Sequence, residues 1–310
     1  MDLGYAVVKG IVQGLAEFLP ISSTAHLTFT NTLFQIFHWQ SPLRPGEDEF
    51  FDIMLHLGTL LAVVIYFRED LMTILGVWLG RERADAKDPQ SGLLLKKLPI
   101  FIAVSMMTTI CWILFLLKGS GILFSKLHWA TAQVENLSDY YFAHPIWVTI
   151  HLMLTGCLLF FCERSSQHGN RKSGEQFSMR NALAIGFMQG CAGVFHGISR
   201  SGSTICGGLF TGLDRITATR YTFLLSIPTF LMAAVYETVK LSKTGIILSL
   251  NWPVMLVGVV FSAVVGYFCV KYLIQYVATH SLYGFAVYCW IAAIIMMVLF
   301  LNTSHVVVAG

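Results

Sequence analysis

The chain has 310 residues, 55% of them hydrophobic and 12% charged, with a net charge of +3 and a mean hydropathy of +0.68. Soluble domains carry about 25% charged residues, so this composition excludes a soluble globular fold and points to an integral membrane protein. With no long basic run and no basic–aromatic interleaving, nothing suggests a nucleic-acid partner.

The first predicted element is not a simple span. Met1–Leu15 is apolar, but it lacks a basic leader and runs into Glu17 and Pro20 rather than a small-residue cleavage site, so it is expected to be retained. Leu3–Phe37 is too polar in its middle to cross as one helix. Non-helical backbone at membrane depth is tolerated only inside protein or beside a wet cavity, so the region reads as a re-entrant helix pair. Six spans near the roughly 20 residues a bilayer needs are expected at about Phe50–Phe67, Leu98–Leu117, Ile146–Cys162, Thr219–Val239, Pro253–Val270 and Leu282–Leu301. Between the third and fourth, Asn181–Leu213 is interrupted by Gly193, Gly197, Gly202, Gly207 and Gly208, and reads as a second re-entrant pair. The seven cysteines are scattered through apolar segments without a CxxC pair, which favours packed thiols over zinc or disulfides.

The intervening polar segments set the orientation. Arg68–Lys97 and Glu163–Arg180 are rich in Lys and Arg, which places them in the cytoplasm. His38–Glu49 and the long, weakly charged Lys118–Pro145 then lie outside, as do Lys240 and Lys243, a minor violation. The first re-entrant pair therefore dips in from outside and the second from the cytoplasm. A weak internal match supports that inversion: Gln13-Gly-Leu-Ala with Ile21-Ser-Ser aligns with Gln189-Gly-Cys-Ala and Ile198-Ser-Arg after one inserted residue. The expected fold is an all-α polytopic membrane protein, with six transmembrane helices and two re-entrant pairs in an inverted-topology repeat. It forms one domain over 1–310: repeat one at about 1–117, a linker and span at 118–180, repeat two at 181–270, and a final span at 282–301. Such repeats place their sites near the midplane at the repeat interface.

Ionisable groups at membrane depth are costly, so they are candidate functional residues. Gln13 and Glu17 are four apart and share a helix face. Pro20 is expected to end the first helix, and Ser22, Ser23 and Thr24 can cap the next. A hydroxyl-rich helix start presents N–H groups and positive dipole to an anion. His26 follows Ser23 by three residues, a nucleophile-and-base spacing. In the second motif Arg200 supplies a guanidinium suited to phosphate or carboxylate. Ser199, Ser201, Gly202, Ser203 and Thr204 add donors around it. His196, just before the loop, either lines the site or merely caps the loop, and Asp52 with His56 is either a polar lining or structural. A carboxylate able to hold a divalent cation, a hydroxyl–imidazole pair and an anion cradle are the parts that phosphoryl chemistry uses. A substrate with a phosphate head reached inside a bilayer is a lipid phosphate or diphosphate. The same architecture also fits a transporter or flippase for a phosphorylated lipid or anion, which needs the arginine cradle but no nucleophile pair.

These motifs resemble a known family. Gly14-Leu-Ala-Glu-Phe-Leu-Pro-Ile-Ser-Ser-Thr-Ala-His-Leu27 and Gly197-Ile-Ser-Arg-Ser-Gly-Ser-Thr-Ile205 look like the two signatures of the undecaprenyl-diphosphate phosphatases of the bacitracin-resistance type. The segments beginning at Phe51 and Arg220 resemble the family in order and spacing. The resemblance implies hydrolysis of undecaprenyl diphosphate to undecaprenyl phosphate, recycling the cell-wall carrier lipid in a bacterial inner membrane, from a pocket open to the extracytoplasmic side. It implies a divalent cation, Mg²⁺ or Ca²⁺, held by Glu17 with Gln13. It implies attack by Ser23 or His26, and phosphate binding by Ser199, Arg200 and Thr204. Two positions depart from the pattern. Gln13 leaves Glu17 as the one carboxylate of its pair, so diphosphate oxygens must help complete the cation's shell. His196 stands where the family usually has Pro. Assembly as a homodimer is left open.

Overall fold

A computed structural model describes residues 2–39, 41–43, 47–79, 89–125, 144–168, 177–242 and 250–308. Among these residues the regular structure is entirely helical: α1 (Asp2–Ala16), α2 (Ser23–Ile36), α3 (Glu47–Tyr66), α4 (Arg68–Trp78), α5 (Pro89–Ser125), α6 (Pro145–His168), α7 (Met179–Val194), α8 (Arg200–Phe210), α9 (Arg215–Ser242), α10 (Trp252–Thr279) and α11 (Tyr283–Val308). Among the described residues five helices contain a stretch long and apolar enough to cross a membrane: Lys97–Leu116, Pro145–Ser166, Arg215–Tyr236, Trp252–Thr279 and Tyr283–Asn302. The sixth expected span, Phe50–Phe67, qualifies only together with α4, across a 70° bend. The chain is thus a multi-pass helical membrane protein.

Several segments read as polar loops are partly helical. Arg68–Lys97 contains all of α4 and the start of α5. Its charges mask a mainly apolar run, Leu71-Met-Thr-Ile-Leu-Gly-Val77, that supports a helix. The central residues 80–88 lie outside the described residues. Likewise α5 continues through Lys118 to Ser125, and α6 runs on to His168. The rest of those two loops, 126–143 and 169–176, lies outside the described residues, as do 44–46 of the segment after His38.

Both polar breaks are present. Within the first, α1 stops at Ala16, earlier than Pro20. An α-helix through this point would need the N–H of residue 20 on the carbonyl of Ala16, and proline has no N–H while its ring crowds that carbonyl. The second break separates α7 from α8. Its Gly197 has a φ of +102°, and a Cβ there would lie 2.6 Å from the Val148 carbonyl oxygen, so glycine is required twice over.

The chain divides into two compact units, and the division runs through α2, α5 and α9 rather than between the halves of the sequence. The first unit comprises residues 1–19, 30–99 and 219–280; the second comprises 20–29, 100–218 and 281–310. In the first, α1 and α3 both pack on α10. Backbone touches backbone there: a Cβ at Gly10 would lie 2.7 Å from the Gly258 oxygen, and one at Gly14 2.9 Å from the Gly266 nitrogen. In the second, α6 packs against α8 and α11. Gly186 and Gly190 bring α7 against Ser105 and Trp112 of α5. Gly10-x-x-Gln13-Gly14 and Gly186-x-x-Gln189-Gly190 therefore do the same work in their separate units, which extends the internal match by one turn. Small residues at four-residue spacing are the usual device for close helix approach in membranes. Gly14→Val is expected to force α1 off α10 and to destabilise the fold by about 1–3 kcal/mol, as overpacking does. A thermal melt of the detergent-solubilised protein checks this, and an unchanged midpoint would contradict the packing account.

Candidate active site

In the second unit, the Pro20 break and the start of α8 meet. A Cβ at Gly202 would lie 3.3 Å from Pro20 Cβ and 3.2 Å from Ser199 Oγ. The two motifs, nearly two hundred residues apart in sequence, thus share one neighbourhood. Ser22 caps α2, accepting from the Ala25 N–H at 3.3 Å. Its φ of +69° is rare for a residue with a side chain. Strain of this kind, of order 1–3 kcal/mol, persists where the surroundings enforce it, often at functional sites. Here it leaves the Ser22 carbonyl beside the imidazole of His26. Ser23 and Thr24 occupy the first turn of α2; Ser23 is half-buried and Thr24 exposed.

His26 is held at both ring nitrogens. Nδ1 lies 2.8 Å from the Ser22 carbonyl oxygen. A carbonyl only accepts, so Nδ1 carries the proton, and in the neutral ring the lone pair is on Nε2. Nε2 receives the hydroxyl of Tyr288 at 2.7 Å, and the two rings stack, 5.6 Å apart and 9° from parallel. Tyr288 lies on α11, 262 residues from His26.

The α8 start is organised by Ser199. Its Oγ accepts from the Gly202 N–H at 3.1 Å and lies 3.2 Å from Ser201 Oγ. Its own N–H donates to Thr155 Oγ1 of α6 at 3.0 Å. Arg200, the first residue of α8, is half-buried. Thr204 directs its hydroxyl at the carbonyls of Arg200 and Ser201, at 2.8 and 3.1 Å. Ser203 Oγ is buried with no hydrogen-bond partner among the described residues. His196 is exposed at the loop entry, and its carbonyl accepts from His151 Nδ1 of α6 at 2.5 Å. The loop is therefore pinned to α6 at Thr155 and at His151, one helical turn apart.

Gln13 and Glu17 belong to the first unit. Gln13 Nε2 donates to Glu17 Oε2 at 2.9 Å, while Gln13 Oε1 is buried with no hydrogen-bond partner among the described residues. His56 Nε2 lies 3.4 Å from the same Glu17 oxygen. One turn before Gln13, Lys9 is fully buried and pairs with Asp52 Oδ1 at 2.8 Å. Among the described residues no three His, Cys, Asp or Glu side chains cluster as a metal site.

This arrangement carries two polar motifs on an apolar helical scaffold, and residues 6–295 match the family of the bacitracin resistance protein BacA. The chain belongs to the BacA family. Relatives cover nearly all of it. The undecaprenyl-diphosphatase of Desulfosudis oleivorans is 39% identical over 295 residues, with 92% of this chain and 94% of the relative aligned. That of Methanobrevibacter smithii is 34% identical over 310 residues, with 96% and 97% aligned. That of Halothermothrix orenii is 34% identical over 299 residues, with 96% and 98% aligned.

Three contacts of this BacA-family chain escape motif reading. Tyr288 sits in the apolar last helix and carries no local signal. Thr155 is an ordinary helix threonine until the Ser199 N–H reaches it. Lys9 does leave a trace, since Lys9, Gln13 and Glu17 recur every four residues along one face of an otherwise apolar helix.

Proposed function

We propose that this chain hydrolyses undecaprenyl diphosphate to undecaprenyl phosphate and inorganic phosphate. The observation that carries the reading is the family match over nearly the full length, with relatives of that activity aligned across more than nine-tenths of both chains. The bond broken joins the terminal phosphorus to the bridging oxygen; water supplies the hydroxyl, and the lipid monophosphate leaves. Arg200 and the hydroxyls of Ser199, Ser201 and Ser203 bind the phosphate, joined by the Gly202 N–H when it leaves Ser199 Oγ. Thr204 joins them by turning its hydroxyl from the Arg200 and Ser201 carbonyls to donate to a phosphate oxygen. Ser22 and Thr24 flank the phosphate-facing start of α2. Either Ser23 attacks the terminal phosphorus with His26 taking its proton, or His26 Nε2 attacks; the lipid monophosphate leaves a phospho-enzyme, and water then cleaves the enzyme–phosphorus bond to release inorganic phosphate. In both cases the Tyr288 hydroxyl must leave Nε2, because one lone pair cannot serve two partners.

Glu17 with Gln13 is proposed to hold a divalent cation, Mg²⁺ or Ca²⁺. The donor set fits: a carboxylate and a buried, unpartnered amide oxygen are hard ligands, and Mg²⁺ in particular is commonly held by one or two carboxylates plus water and phosphate. When bound, the cation supplies charge neutralisation for phosphoryl transfer. The protein is further proposed to lie in a bacterial inner membrane and to open to the extracytoplasmic side; whether it pairs as a homodimer is a question for solution mass measurement.

The test is phosphate release from undecaprenyl diphosphate by the purified protein in detergent. Release is expected, and EDTA is expected to stop it, with recovery on adding Mg²⁺ or Ca²⁺. Lipid movement across proteoliposomes with no phosphate released would replace hydrolysis by transport. Tyr288→Phe is expected not to lower kcat and to raise it by at most about tenfold, with little change in KM. It removes one hydrogen bond of roughly 1–1.5 kcal/mol that has to break before Nε2 can act, while the Ser22 carbonyl still holds Nδ1. The same variant should react faster with diethyl pyrocarbonate at His26. A rate of modification equal to the native one would show that Tyr288 does not cover Nε2.

A further inference from the structure

In the first unit, α1 and α3 lie side by side and run in the same direction, joined by a polar ladder. Tyr5 donates to Asp48 Oδ1 at 3.0 Å, Lys9 pairs with Asp52 at 2.8 Å, and Glu17 faces His56 at 3.4 Å. The upper two rungs are chemically complete: a hydroxyl meets a carboxylate, and an ammonium meets a carboxylate. The last rung is not of that kind.

His56 Nδ1 lies 2.7 Å from the carbonyl oxygen of Asp52. A carbonyl only accepts, so Nδ1 carries the ring proton, and the neutral ring turns its Nε2 lone pair toward Glu17 Oε2. Two acceptors then face each other. Protonation of the imidazole would relieve that pair, but it would leave Gln13 Oε1 buried and unpartnered, at the other end of the amide that donates to the same Glu17 oxygen. A divalent cation would answer the facing Nε2 and Oε2 atoms, and Gln13 Oε1, on the side chain that donates to that Glu17 oxygen, is a further hard donor for it. The histidine also has the outer partner expected of a ligand, since metal-bound imidazoles usually donate their other N–H to a carbonyl or carboxylate. His56 is about a third exposed, so the position can be reached and the remaining shell can be filled by water or phosphate oxygens.

We propose that His56 is the nitrogen ligand of a cation site completed by Glu17 and Gln13 Oε1, and that it shifts this site toward cations that favour imidazole, such as Zn²⁺, and away from Ca²⁺. Imidazole suits Zn²⁺ and the later first-row metals, and oxygen shells suit Ca²⁺; Mn²⁺, itself mainly a seeker of oxygen ligands, serves as the probe because a nitrogen ligand on it is read directly by its hyperfine coupling. The inference rests on the cation reading of Glu17 given above.

The experiment is Mn²⁺ binding to the purified full-length protein in detergent, without lipid substrate, followed by electron paramagnetic resonance. The native protein is expected to bind Mn²⁺ with a nitrogen hyperfine coupling. His56→Gln is expected to lose that coupling, to bind Mn²⁺ about tenfold or more weakly, and to yield its Mn²⁺ to Ca²⁺ at lower Ca²⁺ concentration. Glu17→Gln is expected to lose Mn²⁺ altogether. Binding that needs Glu17 but shows no nitrogen coupling in the native protein would overturn the role of His56 and leave the cation reading standing, whether or not the His56 variant folds. Absence of Mn²⁺ binding, or binding indifferent to Glu17, would remove both, and His56 and Glu17 would then form a plain ion pair.

Discussion

Arg200→Ala is expected to slow phosphate release about a thousandfold or more. A guanidinium that stabilises charge on a transferring phosphoryl group contributes on the order of 10³–10⁵ in rate, and nothing else in Ser199–Thr204 carries a full positive charge. The position multiplies the effect, because Arg200 is the first residue of α8 and lies where N–H groups and positive dipole converge. The fold should survive. The loop's anchors are Ser199 on Thr155 and the His196 carbonyl on His151, and neither uses the guanidinium. Arg200→Lys should recover only part of the loss, since an ammonium keeps the charge without the planar fork. Steady-state phosphate release by both variants, with melting curves to certify the fold, decides the matter. An alanine variant within tenfold of native would mean that the phosphate binds elsewhere.

Glu17→Ala is expected to lower turnover at least about a hundredfold and to abolish the response to added cation. The reason lies in the neighbouring position. With Gln13 neutral, Glu17, just past the end of α1, is the one carboxylate of the pair, so its loss leaves only neutral donors for a divalent ion. Glu17→Gln is the gentler form, since an amide can keep the contact from Gln13 Nε2 while removing the charge. Gln13→Glu runs the other way: a second carboxylate should lower the cation concentration needed for half-maximal rate. Turnover measured across a cation titration separates these outcomes. If Glu17→Ala and Arg200→Ala both turned over at the native rate, the phosphatase reading would be lost.

Much of the helical framework was legible because hydropathy is a local property. A run such as Leu282–Leu301 can only be a span, whatever surrounds it. The breaks were legible for the same reason. Pro20 cannot donate a hydrogen bond, Gly197 adopts a φ open to few other residues, and charges within apolar sequence are too costly to be incidental. What misled was the double use of charge. The basic residues of Arg68–Lys97 argued for a loop, while the mainly apolar run they flank formed α4. Loop and helix differ in hydrogen bonding, and the positive-inside rule is silent on that.

The polar partners were less legible. Gln13 beside Glu17 follows from four-residue spacing, and Ser199 capping α8 follows from its place before the helix. Lys9 on Asp52, His56 on Glu17 and Tyr288 on His26 do not follow from any spacing, because each joins two helices. The sequence by itself determined the membrane class, the helices, the two breaks and the residue types that gather there, all consequences of composition and of bonds closed within a few residues. Only the tertiary structure decided which lone pair each polar group meets. It showed that the His26 Nε2 is covered by Tyr288, and that the His56 Nε2 is turned on a carboxylate. A buried polar group must find its partner on whichever helix packs beside it, and that neighbour is chosen by glycine contacts and apolar packing across the whole chain.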